Sequence, residues 1–277
     1  MLRTGHSNLG KILMAVAALS VSLTSCKKED DPTPENPMPQ EATLMVSSQV
    51  ISQNMIEVEM VNVPEDGWVV VHADNGNGGP VVPDIISEPT MVKAGGSSSV
   101  MVKIAGDATI QDGDKVWIML HKDTGTKGQY EFDGQNDLDP PYIKDGSPVM
   151  DPIMIESAKI NVNDMQVMNN TVVIPEVIAA VDGWLVIHND NGMGGIVLPG
   201  IIGKTMVKAG VNTNVTVQLD QNVTIMPGQN LFPMLHLDNG IIGTYEFDGQ
   251  SQFDGPEIFG NDPFPGNVIF TSFTVLQ

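Results

Sequence analysis

The chain has 277 residues, and its 34 acidic side chains outnumber its 13 basic ones, for a formal net charge of −21. This charge excludes a nucleic-acid-binding protein, because too few cations are present to neutralise a run of phosphates. The hydrophobic fraction of 41% is too high for a disordered chain and too dispersed for a polytopic membrane protein. A single cysteine excludes a disulfide framework, and the length predicts one or two domains.

Residues 1–25 are predicted to be an export signal. Arg3 and Lys11 form a positive start, and residues 12–23 are a mostly apolar run that is too short to span about 30 Å of hydrocarbon. The run ends in Leu-Thr-Ser-Cys at residues 23–26, which resembles the lipobox of bacterial lipoproteins. The resemblance implies cleavage before Cys26 and attachment of lipid to its thiol. The alternative is an ordinary secretory peptide with an incidental cysteine.

Residues 26–41 are predicted to be a lipidated tether. Two lysines and three acidic residues at 27–31 resemble the surface-export signal of Bacteroidota lipoproteins, which implies an outer-membrane lipoprotein exposed at the cell surface. A generic charged tether is the alternative. Four prolines between residues 32 and 39 favour an extended stalk that rises about 3.1 Å per residue. The stalk would hold the folded part away from the membrane.

The rest of the chain repeats itself. Residues 66–79 recur as residues 182–195, and residues 130–135 recur as residues 245–250. Because the register between the copies stays nearly constant, the pattern predicts two tandem domains, residues 42–157 and 158–277.

Each copy contains short runs that are rich in valine and isoleucine and bounded by glycine, proline, asparagine or aspartate. In the first copy these runs are residues 55–63, 67–72, 99–104 and 115–121. No stretch after residue 40 shows a sustained apolar stripe with the period of a helix. The sequence therefore predicts an all-β protein with two tandem immunoglobulin-like β-sandwich domains of about seven strands each. It does not give the strand order.

Three motifs recur in both copies: a Gly67-Trp68 strand that ends in His72, a strand that ends in His121-x-Asp123, and a later Tyr130-x-Phe132. With these motifs the blocks resemble an uncharacterised β-sandwich domain, often in tandem, of halophilic archaeal surface proteins and Bacteroidota lipoproteins. The resemblance covers nearly all of the chain after the tether. It implies the fold and a surface location, and it implies no activity.

Four histidines follow the export segment, and an aspartate stands two residues after each. The pairs are His72 with Asp74, His121 with Asp123, His188 with Asp190, and His236 with Asp238. Because residues i and i+2 of a strand share a face, the aspartate would fix the tautomer of the histidine, as carboxylates do behind metal ligands. A hydrogen-bonded link between loops and strand ends is the favoured interpretation of this strand-end cluster. The alternatives are a substrate-binding role and a zinc or copper site, which requires Asp74 or Asp123 as a further ligand.

An acidic stretch follows in each copy, with Asp133, Asp137 and Asp139 in the first and Asp248 and Asp254 in the second. Residues 123–128 begin like a calcium loop, but Gly125 and Lys127 stand where two further ligands are needed. The stretch predicts at most weak calcium binding through Asp133, Asp137 and Asp139. A solvated acidic loop is the alternative.

The evidence for catalysis is thin. Glu131 and Asp133 are a candidate carboxylate pair for a hydrolase, but two copies of every candidate residue fit a repeated binding or structural module better than one active site. Trp68 and Trp184 are either a sugar-stacking platform or, as favoured here, tryptophans between the sheets.

The sequence therefore predicts a non-enzymatic cell-envelope lipoprotein that binds or displays an unknown extracellular protein or glycan. Its membrane contact is the lipid anchor, and no cofactor is required. The alternatives are a surface glycan-binding protein, an envelope protein that binds calcium, zinc or copper, and a hydrolase.

Overall fold

The structure is a computed structural model that describes residues 41–277. The predicted export signal, Cys26 and nearly all of the tether therefore lie outside the described residues. The described part of the chain contains seventeen β-strands and no helix, which confirms the all-β prediction. Among these residues no helix is long and apolar enough to cross a membrane.

The first sandwich has a sheet of three strands and a sheet of five. Its strands are β1 (Thr43–Met45), β2 (Gln49–Ile51), β3 (Met55–Val63), β4 (Gly67–Ala73), β5 (Thr90–Val92), β6 (Gly95–Lys103), β7 (Asp114–Lys122) and β10 (Met150–Ser157), with a small hairpin of β8 (Ile143–Lys144) and β9 (Ser147–Pro148). The sheet orders are β1-β3-β6 and β2-β10-β7-β4-β5. β2 runs parallel to β10, whereas the other pairs of these two sheets are antiparallel.

The second sandwich repeats this plan. Its strands are β11 (Lys159–Asn161), β12 (Thr171–Ala179), β13 (Gly183–Asp190), β14 (Ile196–Val207), β15 (Gly210–Gln218), β16 (Asn230–Leu237) and β17 (Phe273–Thr274). The sheet orders are β11-β12-β15 and β14-β13-β16-β17. The pairs β4–β7 and β13–β16 therefore occupy equivalent central positions.

The central strands are buried on both faces. Val69 and Val71 of β4 lie in the core between the sheets, whereas Trp68 and Val70 lie in a separate cluster on the opposite face, under the loops. Because both faces are covered, β4 is a continuous apolar run. Strand β3, at the centre of the three-stranded sheet, has one solvated face and alternates buried with exposed residues over much of its length.

The tryptophans were expected between the sheets, and this placement is wrong. Trp68 and Trp184 are 6% and 7% exposed, but each packs on the loop-covered face. There the rings of Tyr130 and Tyr245 meet them edge-on, with centroids 6.0 and 5.8 Å away. The buried indoles are not available as a sugar-stacking platform.

The glycine before each tryptophan is explained by a close approach of two strands. A Cβ atom added to Gly67 would overlap the carbonyl oxygen of His121, and one added to Gly183 would overlap that of His236. Because the obstacle is backbone of the paired strand, it cannot move aside. The Gly-Trp motif is therefore a packing requirement of the β4–β7 and β13–β16 pairs.

A turn of the first sandwich contacts a segment of the second. The side-chain amide of Asn54 donates to the carbonyl oxygen of Gly260 at 3.1 Å, and its Oδ1 accepts from the Gly260 N–H at 2.7 Å. Nearby, Asn261 Nδ2 donates to the carbonyl oxygens of Ala105 and Ala108 at 3.1 and 2.8 Å. Asn54 is only 5% exposed, so its bonds are shielded from water and define the junction between the domains.

The substitution Asn54→Ala should destabilise the protein by about 1–3 kcal/mol more than Asn170→Ala, because it leaves buried groups of Gly260 without partners. Asn170 is the matched control, since both asparagines have left-handed backbone conformations, with φ of 57° and 53°, in equivalent turns. The free energy of unfolding from urea denaturation measures the difference. Equal losses in the two variants would contradict a role for the junction.

The stability of the protein should also depend on pH through Glu257, which is 2% exposed. Burial raises the pKa of this carboxyl from 4.5 to about 7. Because the folded pKa lies above the unfolded one, the contribution of this group to stability should fall as the pH rises from about 4.5 to about 7. Glu257→Gln should therefore be more stable than wild type at pH 8 and similar to it below pH 4.5.

Thermal melts across this pH range measure the effect, and Glu59→Gln, at an exposed position of β3, is the control. A Glu257→Gln protein that keeps the wild-type pH profile of stability would show that the buried carboxyl does not titrate in this range.

Candidate functional site

The two histidines of each domain lie on the loop-covered face of the central strand pair. In the β4–β7 pairing, Trp68 stands opposite His121 and His72 stands two residues beyond Val70, opposite Trp117. The ring centroids of His72 and His121 are 6.0 Å apart. The same distance separates His188 and His236 in the second domain. Within each domain the structure thus brings together two of the four histidines that the sequence singled out.

Each Nδ1 atom of the first pair is held by backbone carbonyls of the covering loops. His72 Nδ1 lies 2.9 Å from the carbonyl oxygen of Val81 and 2.8 Å from that of Asp84. His121 Nδ1 lies 2.7 Å from the carbonyl oxygen of Asp139. Because a carbonyl oxygen can only accept, both Nδ1 atoms carry the proton and both Nε2 atoms present a lone pair.

The Nε2 atoms have unusual surroundings. Those of His72 and His188 are buried and have no hydrogen-bond partner within residues 41–277. The Nε2 atom of His121 lies 3.2 Å from Met119 Sδ, and that of His236 lies 3.2 Å from Met234 Sδ. The duplication has preserved this arrangement in both domains.

Burial keeps these imidazoles neutral. Desolvation, together with the neighbouring histidine, lowers the pKa of His121 and of His236 to about 4, although the hydrogen bond to a loop carbonyl opposes the shift in each case. Desolvation also lowers the pKa values of His72 and His188, although hydrogen bonds to loop carbonyls oppose this shift. Both rings of each pair are therefore uncharged near neutral pH.

The Tyr-x-Phe motif closes the site from the loop side. The ring centroids of Tyr130 and Phe132 lie 5.4 and 4.7 Å from that of His121, both in edge-on contact. In the second domain Phe247 meets His236 edge-on at 5.1 Å, and Tyr245 contacts it in a tilted arrangement at 5.6 Å. The aromatic rings shield one histidine of each pair from solvent.

The aspartates do not take the position expected from the sequence. Asp74 accepts from Trp117 Nε1 at 2.7 Å and from the Gly76 N–H at 3.0 Å, and Asp123 accepts from the Gly128 N–H at 3.2 Å. Carbonyls of the loops, not these carboxylates, fix the histidine tautomers. Asp74 and Asp123 also do not join the histidines as the further ligand that the zinc or copper hypothesis required.

The aspartates of the second domain behave in the same way. Asp190 accepts from the Gly192 N–H at 2.6 Å, and Asp238 accepts from the Gly243 N–H at 3.0 Å. All four carboxylates therefore accept hydrogen bonds from N–H groups of their own loops, and Asp74 also binds Trp117 of β7.

A different aspartate ties the covering loop to the strand end. Asp139 is fully buried, and its carboxylate accepts from the backbone N–H groups of Thr124 at 2.7 Å and Glu131 at 2.8 Å. Its own carbonyl oxygen receives the His121 bond. Asp254 repeats these contacts in the second domain, with the N–H groups of Asn239 and Glu246 at 2.9 and 2.7 Å. We call these contacts the lock, because they hold the covering loop against the end of the strand.

This arrangement leaves few carboxylate oxygens free to bind calcium. The carboxylate of Asp139 is occupied by backbone amides, and Asp133 accepts from the N–H groups of Gln135 and Asn136, both at 2.8 Å. Asp137 is exposed. Within the described residues, no group of three or more histidine, cysteine, aspartate or glutamate side chains has the geometry of a metal site. Asp133, Asp137 and Asp139 therefore do not form a preformed cage.

Two methionines of this site were not singled out from the sequence. Met119 and Met234 each stand two residues before a histidine, so they share a strand face with it, and this Met-x-His spacing recurs in both copies. This recurring spacing was the signal in the sequence that could have identified the two methionines. In the second domain a pocket of about 270 Å³ reaches Met234 and His236 between walls that include Pro199 and Phe264.

The substitution Asp139→Asn should lower the free energy of unfolding by roughly 1–3 kcal/mol, because an amide NH₂ would face a buried N–H where an oxygen now accepts. Asparagine tolerates the left-handed backbone at this position, where φ is 46°, so the effect reports on the hydrogen bonds. Urea denaturation provides the measurement. The control Asp137→Asn, at an exposed position, should change stability by less than about 0.5 kcal/mol; a loss as large as that of Asp139→Asn would contradict the lock.

Comparison with known proteins agrees with the duplicated architecture. The model of a domain of unknown function, DUF7282, matches residues 42–156 and again residues 158–267. Cell surface glycoprotein 1 of Haloarcula hispanica is 27% identical over 110 residues, which cover 40% of this chain and 11% of that protein. The expected resemblance to an uncharacterised tandem domain shared with halophilic archaea is therefore confirmed.

Similarity to solved structures is distant. The calcium binding domain CBD12 of CALX1.1 is 8% identical with a TM-score of 0.23, over 70% of this chain and 80% of that one. The CupB2 chaperone of Pseudomonas aeruginosa is 10% identical with a TM-score of 0.22, over 69% of this chain and 90% of that one. Neither similarity is close enough to support an argument about function. The two DUF7282 matches span well over half of the chain, and the chain therefore belongs to the DUF7282 family of domains of unknown function.

Proposed function

We propose that this protein is a non-enzymatic, surface-exposed lipoprotein whose two β-sandwich domains bind or display an extracellular partner. The duplication carries the proposal, because the structure repeats the same sandwich, the same covering loops and the same buried histidine pair in both copies. A repeated module suits display or multivalent binding better than a single active site. The similarity of one stretch to a cell surface glycoprotein supports a surface location.

The junction between the domains supports the same function. Asn54 of the first domain and Gly260 of the second exchange two hydrogen bonds across a buried contact. Such a contact restrains the two domains, so that a partner meets both in a constant arrangement. Restraint before binding reduces the entropy lost when the partner is bound.

The carboxylates proposed for a hydrolase are engaged in loop structure. Glu131 accepts from the backbone N–H and the hydroxyl group of Thr126. Asp133 accepts from two backbone N–H groups of its own turn, and these hydrogen bonds lower its pKa. A lowered pKa at Asp133 is the opposite of what a general acid requires. This supports a non-enzymatic role.

The glycan alternative loses its main support, because Trp68 and Trp184 are buried. A glycan partner would have to be bound by other groups, and no exposed aromatic platform was predicted in its place. The proposed partner is therefore an extracellular protein or glycan that recognises the outer surface of the sandwiches and their loops.

The lipid anchor is tested at Cys26. We expect Cys26→Ala to abolish incorporation of labelled fatty acid and to release the protein from membranes or leave it uncleaved. The control Ser25→Ala keeps a small residue before the cysteine and should remain lipidated. Labelled fatty acid on the Cys26→Ala protein would show that the anchor is assigned wrongly.

Exposure at the cell surface is tested by adding protease to intact cells. We expect the domains to be removed from wild-type cells, and less completely when Lys28, Glu29 and Asp30 are changed to alanine. Resistance in intact cells combined with sensitivity after lysis would place the domains on the inner, periplasmic side of the outer membrane.

A further inference from the structure

We propose that each domain holds one copper(I) ion between two histidine Nε2 atoms and one methionine sulfur. The ligands would be His72, Met119 and His121 in the first domain, and His188, Met234 and His236 in the second. This site goes beyond the proposed surface function and does not depend on it.

The first argument is the direction of the lone pairs. Loop carbonyls hold the Nδ1–H groups of His72 and His121, which is how a protein orients an imidazole that binds metal through its other nitrogen. The Nε2 atom of His72 is then a buried acceptor, and the described residues offer it no donor. Proteins rarely leave such an atom unpaired, because its desolvation is not compensated.

The second argument is a contact between two acceptors. His121 Nε2 lies 3.2 Å from Met119 Sδ, yet with the proton on Nδ1 neither atom carries a hydrogen. The contact therefore cannot be a hydrogen bond, whereas both atoms are electron-pair donors that a metal ion would satisfy at once. The same contact occurs between His236 and Met234 in the second domain, also at 3.2 Å. The pairing is therefore a repeated feature of the domain.

The spacing of the rings agrees with a shared ion. Two imidazoles bound through nitrogen at about 2.0 Å place their ring centroids roughly 5–6 Å apart. The observed separation is 6.0 Å in both domains. This separation lies at the wide end of the range, as expected when the angle between the two nitrogen–metal bonds is wider than in a tetrahedral site.

The donor types select the metal. Imidazole nitrogen suits copper and zinc alike, whereas the thioether is a soft donor that favours copper(I) over zinc, calcium or magnesium. No carboxylate completes the set, since Asp74 and Asp123 are bound elsewhere. A buried divalent ion would therefore lack charge compensation, whereas a monovalent ion leaves a single charge to accommodate.

A pocket leads to the proposed site of the second domain. The pocket of about 270 Å³ in the second domain is lined by both Met234 and His236, so it provides a route for an ion to these ligands.

The test is copper(I) binding by the full chain, measured under anaerobic, reducing conditions in competition with bathocuproine disulfonate. We expect two copper(I) ions per wild-type chain. Met119→Leu should retain one ion, because leucine preserves the packing but lacks the sulfur. The second domain then serves as an internal reference within the same molecule.

Two further variants separate ligation from packing. His72→Gln can still donate to the loop carbonyls through its amide but lacks the imidazole lone pair, so it should also retain one ion. Met150→Leu changes a methionine that packs against the same cluster and should retain two. Thermal melts without copper establish that each variant is folded.

X-ray absorption of the loaded protein should show imidazole nitrogen and one sulfur in the copper coordination shell. Wild type that binds no copper(I), or Met119→Leu and His72→Gln proteins that still bind two ions, would overturn the proposal. Zinc that binds with the same stoichiometry and is unaffected by Met119→Leu would overturn the assignment to a soft metal.

Discussion

The hydrogen bond between each histidine Nδ1 and a loop carbonyl joins the central sheet of a domain to the loops that cover it. Without these loops, the outer face of β4 and β7 would expose a tryptophan, a valine and a methionine to water, together with two imidazoles. The bonds from His72 to Val81 and Asp84 hold one loop, and the bond from His121 to Asp139 holds the other. The second hydrophobic cluster of each domain exists because these loops are held in place.

The same bonds decide the chemistry of the site. An imidazole that donates its Nδ1–H to a carbonyl oxygen keeps one lone pair, on Nε2, and burial keeps that imidazole neutral. Asp139 strengthens the arrangement, since its carbonyl oxygen accepts from the histidine while its carboxylate gathers the amides of the loop. The structural lock and the proposed copper site are therefore two consequences of one set of contacts, one at Nδ1 and the other at Nε2.

Duplication has kept these contacts while other parts diverged. The strand beside β4 is the three-residue β5, whereas its equivalent β14 has twelve residues. The segment after Asp254 has become the surface that receives Asn54 of the first domain. Parts of the copies that face each other have thus specialised as a junction, and the buried histidines and methionines of the loop-covered face have stayed the same.

The sequence by itself determined the repeat, the all-β class and the recurring histidines, because these follow from local periodicity, turn residues and internal comparison. It also showed that His72 and His121 each lie at the end of an apolar strand. The pattern could not show that Trp68 faces the loops and not the opposite sheet, since a strand buried on both faces loses the alternation that reveals its sides. Nor could it show that the carboxylates of Asp74 and Asp123 accept hydrogen bonds from other groups and not from the histidines. The partners of the histidines are backbone carbonyls 9 to 18 residues away in the chain, and a carbonyl has no signature in the sequence. Only the folded loops decided which atoms meet the imidazoles, because tertiary contact and not residue type places those oxygens.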